Sequence, residues 1–378
     1  MNDYAWPLAL MVLLVVGDAW WLRRQGRAAP PWHDVVFNLN SGHVLLWWFR
    51  GLEVAGYAWL SQHVNLGWLE AWPRWAVWSF TFIAWDFCFY WEHRLHHRWA
   101  PLWAVHVVHH EGEHFNLSLG VRNSWFSSAT SLPFFAGLAM VGVPLTVFLV
   151  VSGAHYSIQF WNHCGSVPRL AWLDRWLVTP WNHRIHHAAN PEYRDKNFGG
   201  TLRLWDHLFG TAQDELLQVP VRYGVDGATP GVDPVRANLA PFWRWITGRE
   251  GPVPRQRETA RLPAAREGWV LTGGLVLFAL VIYHVYREGR WPPGQQACLF
   301  AALWLGTVAL GGLSEARAWG RTAWMAVALG TPLLFVAGFG LRDPLGVAVL
   351  AALALHGVGT GTVGAGPGSA LTSRHGSS

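Results

Sequence analysis

The chain has 378 residues, 52% of them hydrophobic and 13% charged, and the charged share is about half of the roughly 25% usual in a soluble domain. That deficit excludes an ordinary soluble fold and points to lipid as the solvent, with one membrane domain and tails in place of two or three soluble units. The net charge of +5 comes largely from arginines scattered between apolar blocks, a pattern that argues for loops retained on the cytoplasmic side and against a nucleic-acid-binding patch.

Tryptophan is abundant at 28 residues, and its amphipathic ring favours the bilayer interface. The three cysteines show no CxxC spacing, so neither a disulfide framework nor a thiolate metal site is indicated.

In chain order, the first apolar run is Tyr4 to Leu22, closed by Arg23, Arg24 and Arg27. It is too long for a signal peptide's apolar region and reads as a retained transmembrane helix ending in the cytoplasm. A second run, His43 to Leu60, carries Arg50 and Glu53 at i, i+3, which are placed to pair on a protein-facing side. The third, Trp75 to Trp91, leads directly into His93. Ser127 to Phe160 is apolar for more than 30 residues and broken by Pro133, Gly137, Gly142 and Pro144, which predicts a helical hairpin that enters and leaves on one side.

Residues 163–267 are polar and proline-broken and read as cytoplasmic, with a loop from Gly224 to Arg266. Four further apolar stretches, 268–286, 296–313, 322–340 and 344–358, predict a second bundle. The expected fold is all-α: a multi-span transmembrane bundle with a histidine-rich di-metal site at its cytoplasmic face. Its expected regions are N-terminal transmembrane helices (1–74), a catalytic region (75–215), a cytoplasmic loop (216–267), a C-terminal transmembrane bundle (268–358) and a disordered Gly/Ser/Thr-rich tail (359–378).

Twelve of the 19 histidines fall between His93 and His187. Three stretches read H-x-x-H-H: His93 to His97, His106 to His110 and His183 to His187. On a helix, positions i, i+3 and i+4 share a face, so each stretch projects up to three imidazoles one way. A fourth source of ligand is the face carrying His155, Gln159 and His163. Imidazole suits iron, zinc, copper or nickel, and this many donors exceeds the needs of one ion but fits two with about four each.

The expected ligands are His93, His97, His106, His109, His110, His163, His183, His186 and His187. His96 fits least well because it crowds His97. It stands with His155, Gln159, Asp86, Asn190 and Asp206 as a ligand or as a partner orienting one, since ligand histidines usually hand their other ring N–H to a carboxylate or carbonyl. Glu111, Glu113, Asp195 and Asn197 are weaker candidates for that orienting role, and His114 and His207 are expected beside the site or at the surface.

From Asp86 to Thr211 these residues resemble the fatty acid hydroxylase and sterol desaturase superfamily. The resemblance rests on Asp86, Tyr90, His93-Arg94, the three histidine motifs, Lys196-Asn197-Phe198-Gly199-Gly200, and Trp205 to Thr211. Asn116-Leu117-Ser118, Arg122, Gln159-Phe160-Trp161 and the apolar C-terminal extension are similar to a branch that cleaves ether lipids, although Arg98 stands where that branch tends to carry Glu.

The resemblance implies a membrane di-iron oxygenase that hydroxylates a lipid C–H bond with O2 and two Fe ions. Its electron donor is tetrahydrobiopterin or an external redox protein, and its substrate is a lipid drawn from the bilayer. The alternatives are a sterol, carotenoid or fatty acyl desaturase or hydroxylase, a divalent metal transporter or sensor, and a zinc hydrolase, the last set aside for want of a helical H-E-x-x-H. No residue beyond the metal ligands is assigned a catalytic role.

Overall fold

The computed structural model describes residues 5–26, 29–40, 43–225, 234–248, 264–287 and 290–363. Among them no β-strand forms, and a single isolated bridge joins Leu177 to Leu202. The chain is a multi-span helical bundle, as its apolar blocks predict. Among the described residues, five segments are long and apolar enough to cross a membrane: Trp6–Arg24, Glu267–Tyr286, Pro293–Ser314, Gly320–Gly338 and Pro344–Gly361.

The N-terminal part comprises α1 (Ala5–Arg24), α2 (Trp32–Asn40), α3 (His43–His63), α4 (Arg74–Arg98), α5 (Ala100–His110), α6 (Ser127–Val141) and α7 (Leu145–Asn162). Pro73 caps the start of α4, and the chain breaks at Trp99, whose extended backbone is followed by Pro101 in the first turn of α5. A proline there fits a helix start but cannot continue one, so α4 and α5 fold against each other and their histidine stretches meet. The expected hairpin is present as α6 and α7. It turns at Gly142, whose φ of +104° is open to glycine and strained for other residues. α3, α4, α6 and α7 share a core in which Tyr57 stacks on Phe148 at 4.0 Å and Trp85 on Phe135 at 4.9 Å.

The polar stretch holds three short helices, α8 (Leu173–Trp176), α9 (Pro180–His186) and α10 (Leu204–Leu208). Part of the loop expected between Gly224 and Arg266 is instead a helix, α11 (Pro234–Thr247). Its prolines, Pro234 and Pro241, hide an amphipathic pattern: Ala237, Asn238 and Pro241 are buried, while Trp243, Trp245 and Ile246 are exposed.

The four C-terminal stretches form α12 (Ala264–Tyr286), α13 (Pro293–Ser314), α14 (Gly320–Pro332, prolonged by a wider π turn over Leu333–Gly338) and α15 (Pro344–Val363). They enclose a core around Trp324, Phe335 and Leu303. α12 also packs on α1 and α2 through Phe278, Val15 and Leu39, which joins the two bundles. α15 extends into the expected tail as far as Val363, and the rest of that tail lies outside the described residues.

Candidate metal centre

The histidine stretches lie where helices end. α4 carries His93 and His97, α5 carries His106, His109 and His110, and His163 caps the end of α7. α9 starts at Pro180 and carries His183 and His186, with His187 as its cap. Nine imidazoles converge in two groups. In one are His93, His97, His106, His110 and His186, and in the other His109, His163, His183 and His187; within each group the nearest ring nitrogens all lie within 4.8 Å of one another. The groups adjoin, since the His110 ring stacks on His187 at 4.5 Å between centroids.

The division departs from the expectation that each stretch projects its imidazoles one way, and helix geometry gives the reason. Positions i and i+4 lie closest to one stripe, while i+3 is rotated to the other side of it. His106 and His110 therefore enter the five-membered group and His109 the other. His183 and His187 likewise share the four-membered group, while His186 joins the first.

Adjacent Nε2 atoms are 3.0–3.2 Å apart: His93 to His106, His106 to His110, His110 to His186, His109 to His163, and His163, His183 and His187 among themselves. These contacts are not all hydrogen bonds. The Nδ1 atoms of His109 and His163 lie 2.8 and 2.7 Å from the carbonyls of Arg122 and Gln159. A carbonyl only accepts, so each Nδ1 carries the ring proton and each neutral Nε2 presents a bare lone pair.

Two lone pairs at 3.2 Å repel unless a cation lies between them. Two nitrogens held about 2.1 Å from one ion at right angles stand about 3.0 Å apart. His97 Nε2 is also buried without a hydrogen-bond partner. The donor set therefore fits metal ions and is poorly explained without them.

Burial first, and the crowd of imidazoles second, hold His106, His110, His183, His186 and His187 well below the ordinary histidine value, and burial brings His109 to about 4. The rings are thus neutral at physiological pH, which is the ligating form.

One loop meets three of the five rings in the larger group. The Lys196 carbonyl accepts from His186 Nδ1 and the Phe198 carbonyl from His93 Nδ1, both at 2.9 Å, while Asp195 lies 3.7 Å from His97 Nδ1. Asp195 and Asn197 adopt left-handed φ values of 58° and 54° on either side of Lys196, whose carbonyl meets His186. Asn197 ties the loop to the carbonyls of Asn182 and Gln213. Asp206 accepts from the backbone N–H of Phe198 and Gly199 and from Thr211 Oγ1.

The remaining sequence candidates fall elsewhere. His96 turns away, with its nitrogens on the Glu92 carbonyl and Thr130 Oγ1. His155 bonds Thr201 and the Phe82 carbonyl and joins neither group. Gln159 contributes its backbone carbonyl to His163. Asp86, expected as a ligand or as a partner orienting one, accepts instead from the backbone N–H of Thr201 and Leu202 and from Trp205 Nε1, and so clamps the loop one step removed. Asn190 holds Arg222 and Pro220, away from the centre. Glu111 pairs with buried Arg122 at 3.2 Å.

His110 to His114 does spell H-E-x-x-H, but α5 stops at His110 and His114 faces Asp34 at 3.2 Å, so these residues share no helical face. The orienting carbonyls of Arg122, Lys196 and Phe198 escaped the sequence reading because a backbone group leaves no residue signature. Glu92 was also missed, although a carboxylate beside His93 in an apolar helix is a signal.

Two cavities flank the rings. One of about 350 Å³ lies among α1, α3, α4, α6 and α7, with His93, His106, His109, His163 and His183 in its wall. The other, of about 430 Å³, lies on the loop side, lined by His97, His110, His186, Trp103, Arg194 and Asp195.

Fold and site together define a multi-pass helical membrane protein built around two buried histidine clusters. Residues 78–211 match the family model described as Fatty acid hydroxylase, which bears out the superfamily resemblance read from the motifs. The chain is 34% identical over 194 residues to an alkylglycerol monooxygenase of Xenopus tropicalis, covering 50% of this chain and 42% of that protein. It is 32% identical over 251 residues to the alkylglycerol monooxygenase of Homo sapiens, covering 64% and 54%. It is also 30% identical over 157 residues to the ornithine lipid hydroxylase OlsE of Rhizobium tropici, covering 40% and 46%. The chain spans about half the length of the curated relatives it matches. No solved structure matches it.

Proposed function

We propose that this protein is a membrane di-iron oxygenase that uses O2 to hydroxylate a C–H bond of a lipid. The observation that carries the proposal is the paired histidine centre with a cavity among the helices on one side and a second cavity on the loop side. His93, His97, His106, His110 and His186 would hold one ion, and His109, His163, His183 and His187 the second. An iron pair so ligated supplies the redox chemistry with O2 that zinc lacks.

The chain's own residues do the rest. The Lys196, Phe198, Arg122 and Gln159 carbonyls keep Nδ1 protonated and aim Nε2 at the centre. The helices admit a lipid from the bilayer and exclude bulk water. The loop-side cavity, with Trp103, Arg194 and Asp195 in its wall, gives an electron donor access, tetrahydrobiopterin or a redox protein, from what the arginine distribution marks as the cytoplasmic side.

Similarity to alkylglycerol monooxygenases supports an ether lipid as substrate. A hydroxyl placed on the carbon next to the ether oxygen gives a hemiacetal, which collapses to an aldehyde and a glycerol product. Metal analysis of protein from iron-replete cells, with an oxygen-uptake trace, tests the proposal: two irons per chain and lipid-dependent uptake are expected. Stoichiometric zinc without uptake would overturn it in favour of a transporter or sensor.

A further inference from the structure

The short helices α8 and α10 stand side by side at the surface of the protein. Arg203 N–H donates to the Trp176 carbonyl at 3.0 Å, Val178 N–H donates to the Thr201 carbonyl at 2.9 Å, and Leu177 bridges to Leu202. The sequence reads this stretch as polar and cytoplasmic, yet it turns large apolar side chains outward: Trp172 is 70% exposed, Trp176 59%, Leu204 49% and Leu208 65%. Single exposed apolar residues are ordinary, but four gathered on adjoining elements mark an interaction surface.

The neighbouring helix α4 points to lipid as what covers that surface. It is uncharged from Trp75 to Trp85, and its outer stripe, with Ile83 and Phe87, is exposed, which in a multi-pass membrane protein is a face turned to the bilayer. Phe87 meets Trp205 of α10 at 5.0 Å and Phe209 at 6.4 Å between ring centroids. The patch on α8 and α10 therefore continues an apolar face that already looks into lipid.

Charge selects the kind of lipid. Arg169 and Arg175 are exposed beside the patch, and Arg175 lies over the Trp176 ring. The acids of the same stretches, Asp174 and Asp206, are buried, so no carboxylate is exposed in residues 168–177 or 204–210. Tryptophan with arginine and no exposed acid suits a headgroup layer, where the ring sits among the heads and the guanidinium meets phosphate. A second copy seated face to face would instead bring arginine against arginine with no acid in the patch to pair them.

α10 carries the contact inward. Leu204 and Leu208, one turn apart, face out. Between them Trp205 Nε1 donates to Asp86, and Asp206 accepts from the backbone N–H of Phe198 and Gly199, in the loop whose Phe198 carbonyl orients His93.

We infer that Trp172, Trp176, Leu204 and Leu208 seat in the headgroup layer of a bilayer containing anionic phospholipid, with Arg169 and Arg175 on its phosphates, so that α10 is held between lipid and the loop that orients His93.

The test uses the full chain in nanodiscs that each hold one copy. Single cysteines for an NBD fluorophore are introduced by Trp172→Cys, Leu208→Cys and, as a water-facing reference, Glu192→Cys. The signal of labelled protein without them, from Cys88, Cys164 and Cys298, is subtracted, and each variant is checked for wild-type metal content. Doxyl groups on lipid quench labels in the bilayer, and iodide quenches labels in water. The Trp172→Cys and Leu208→Cys labels are expected to be quenched by doxyl lipid and shielded from iodide, and the Glu192→Cys label the reverse. At equal mole fraction, doxyl carried on phosphatidylglycerol is expected to quench the Leu208→Cys label two- to fivefold more than doxyl carried on phosphatidylcholine, since one interfacial arginine favours an anionic lipid by about fivefold. Arg169→Gln/Arg175→Gln should abolish that preference.

Iodide quenching at Trp172→Cys and Leu208→Cys equal to that at Glu192→Cys overturns the inference. Shielding from both quenchers also overturns it, because protein and not lipid would then cover the face. Equal quenching by the two doxyl lipids in the wild-type background overturns the anionic headgroup. None of these readings involves turnover, so they stand apart from the oxygen-uptake result that judges the proposed function.

Discussion

Deleting imidazoles should remove the two ions separately, along a division that adjacent residues of one helix make. His106 and His110 belong to the five-membered group and His109 to the four-membered one. Four-ligand structural sites bind with an apparent 10–16 kcal/mol, or about 3 kcal/mol per donor, and that corresponds to about two decades of affinity. His109→Ala leaves three imidazoles in its group, and the ion there should bind about 100-fold more weakly. His106→Ala leaves four in the other and should keep both ions under the same chelator challenge. The double variant His106→Ala/His110→Ala leaves three there and should release that ion while the second remains. The assay is metal content per chain by mass spectrometry after graded chelator dialysis. Loss of both ions together in every variant, or two ions retained in His109→Ala, would refute the assignment of i+3 and i, i+4 to different metals.

Three other outcomes follow from the same geometry. A Cβ at Gly120 would lie 2.9 Å from His163 Nδ1, so Gly120→Ala should displace that ring and weaken the four-histidine site 10–100-fold; chelator titration should show the five-histidine site unchanged. Asp206→Ala leaves the buried N–H groups of Phe198 and Gly199 without their acceptor, at about 1–3 kcal/mol each, and thermal unfolding should record the loss together with weaker metal binding as the Lys196 and Phe198 carbonyls drift. In metal-free protein His109 sits at about 4, against about 6.5 in the unfolded chain. The unfolded form therefore binds more protons between those values, and stability should be fully present above about pH 6.5 and fall as the pH drops toward 4, by about 3 kcal/mol for this residue. Unfolding measured across that range checks it, and stability rising on acidification would contradict the neutral, buried state of the rings.

Some of this architecture was written in local patterns. Apolar length marked α1 and α12 to α15, whereas the 3.6-residue period grouped all three histidines of a stretch on one face and the structure sends the i+3 member elsewhere. Pro133, Gly137, Gly142 and Pro144 marked a hairpin, and the structure places its turn at Gly142. Local pattern misled where prolines masked amphipathicity, as in α11, and where a carboxylate beside a metal motif looked like a partner of the metal. Asp86 lies on the stripe leading to His93, but its oxygens are taken by the Thr201 and Leu202 backbone.

The sequence by itself determined the donor chemistry, the apolar solvent and the gathering of the histidines into short stretches, because each depends only on residue type and spacing. Tertiary structure decided that i+3 and i, i+4 serve different groups, that α9 meets α5, that a loop more than 80 residues from α4 supplies the carbonyl orienting His93, and that Gln159 lines a cavity with its Nε2 unpartnered. Those are relations between distant backbones, and the groups that make them, peptide carbonyls and enclosed space, are the same for every residue type until the chain has folded.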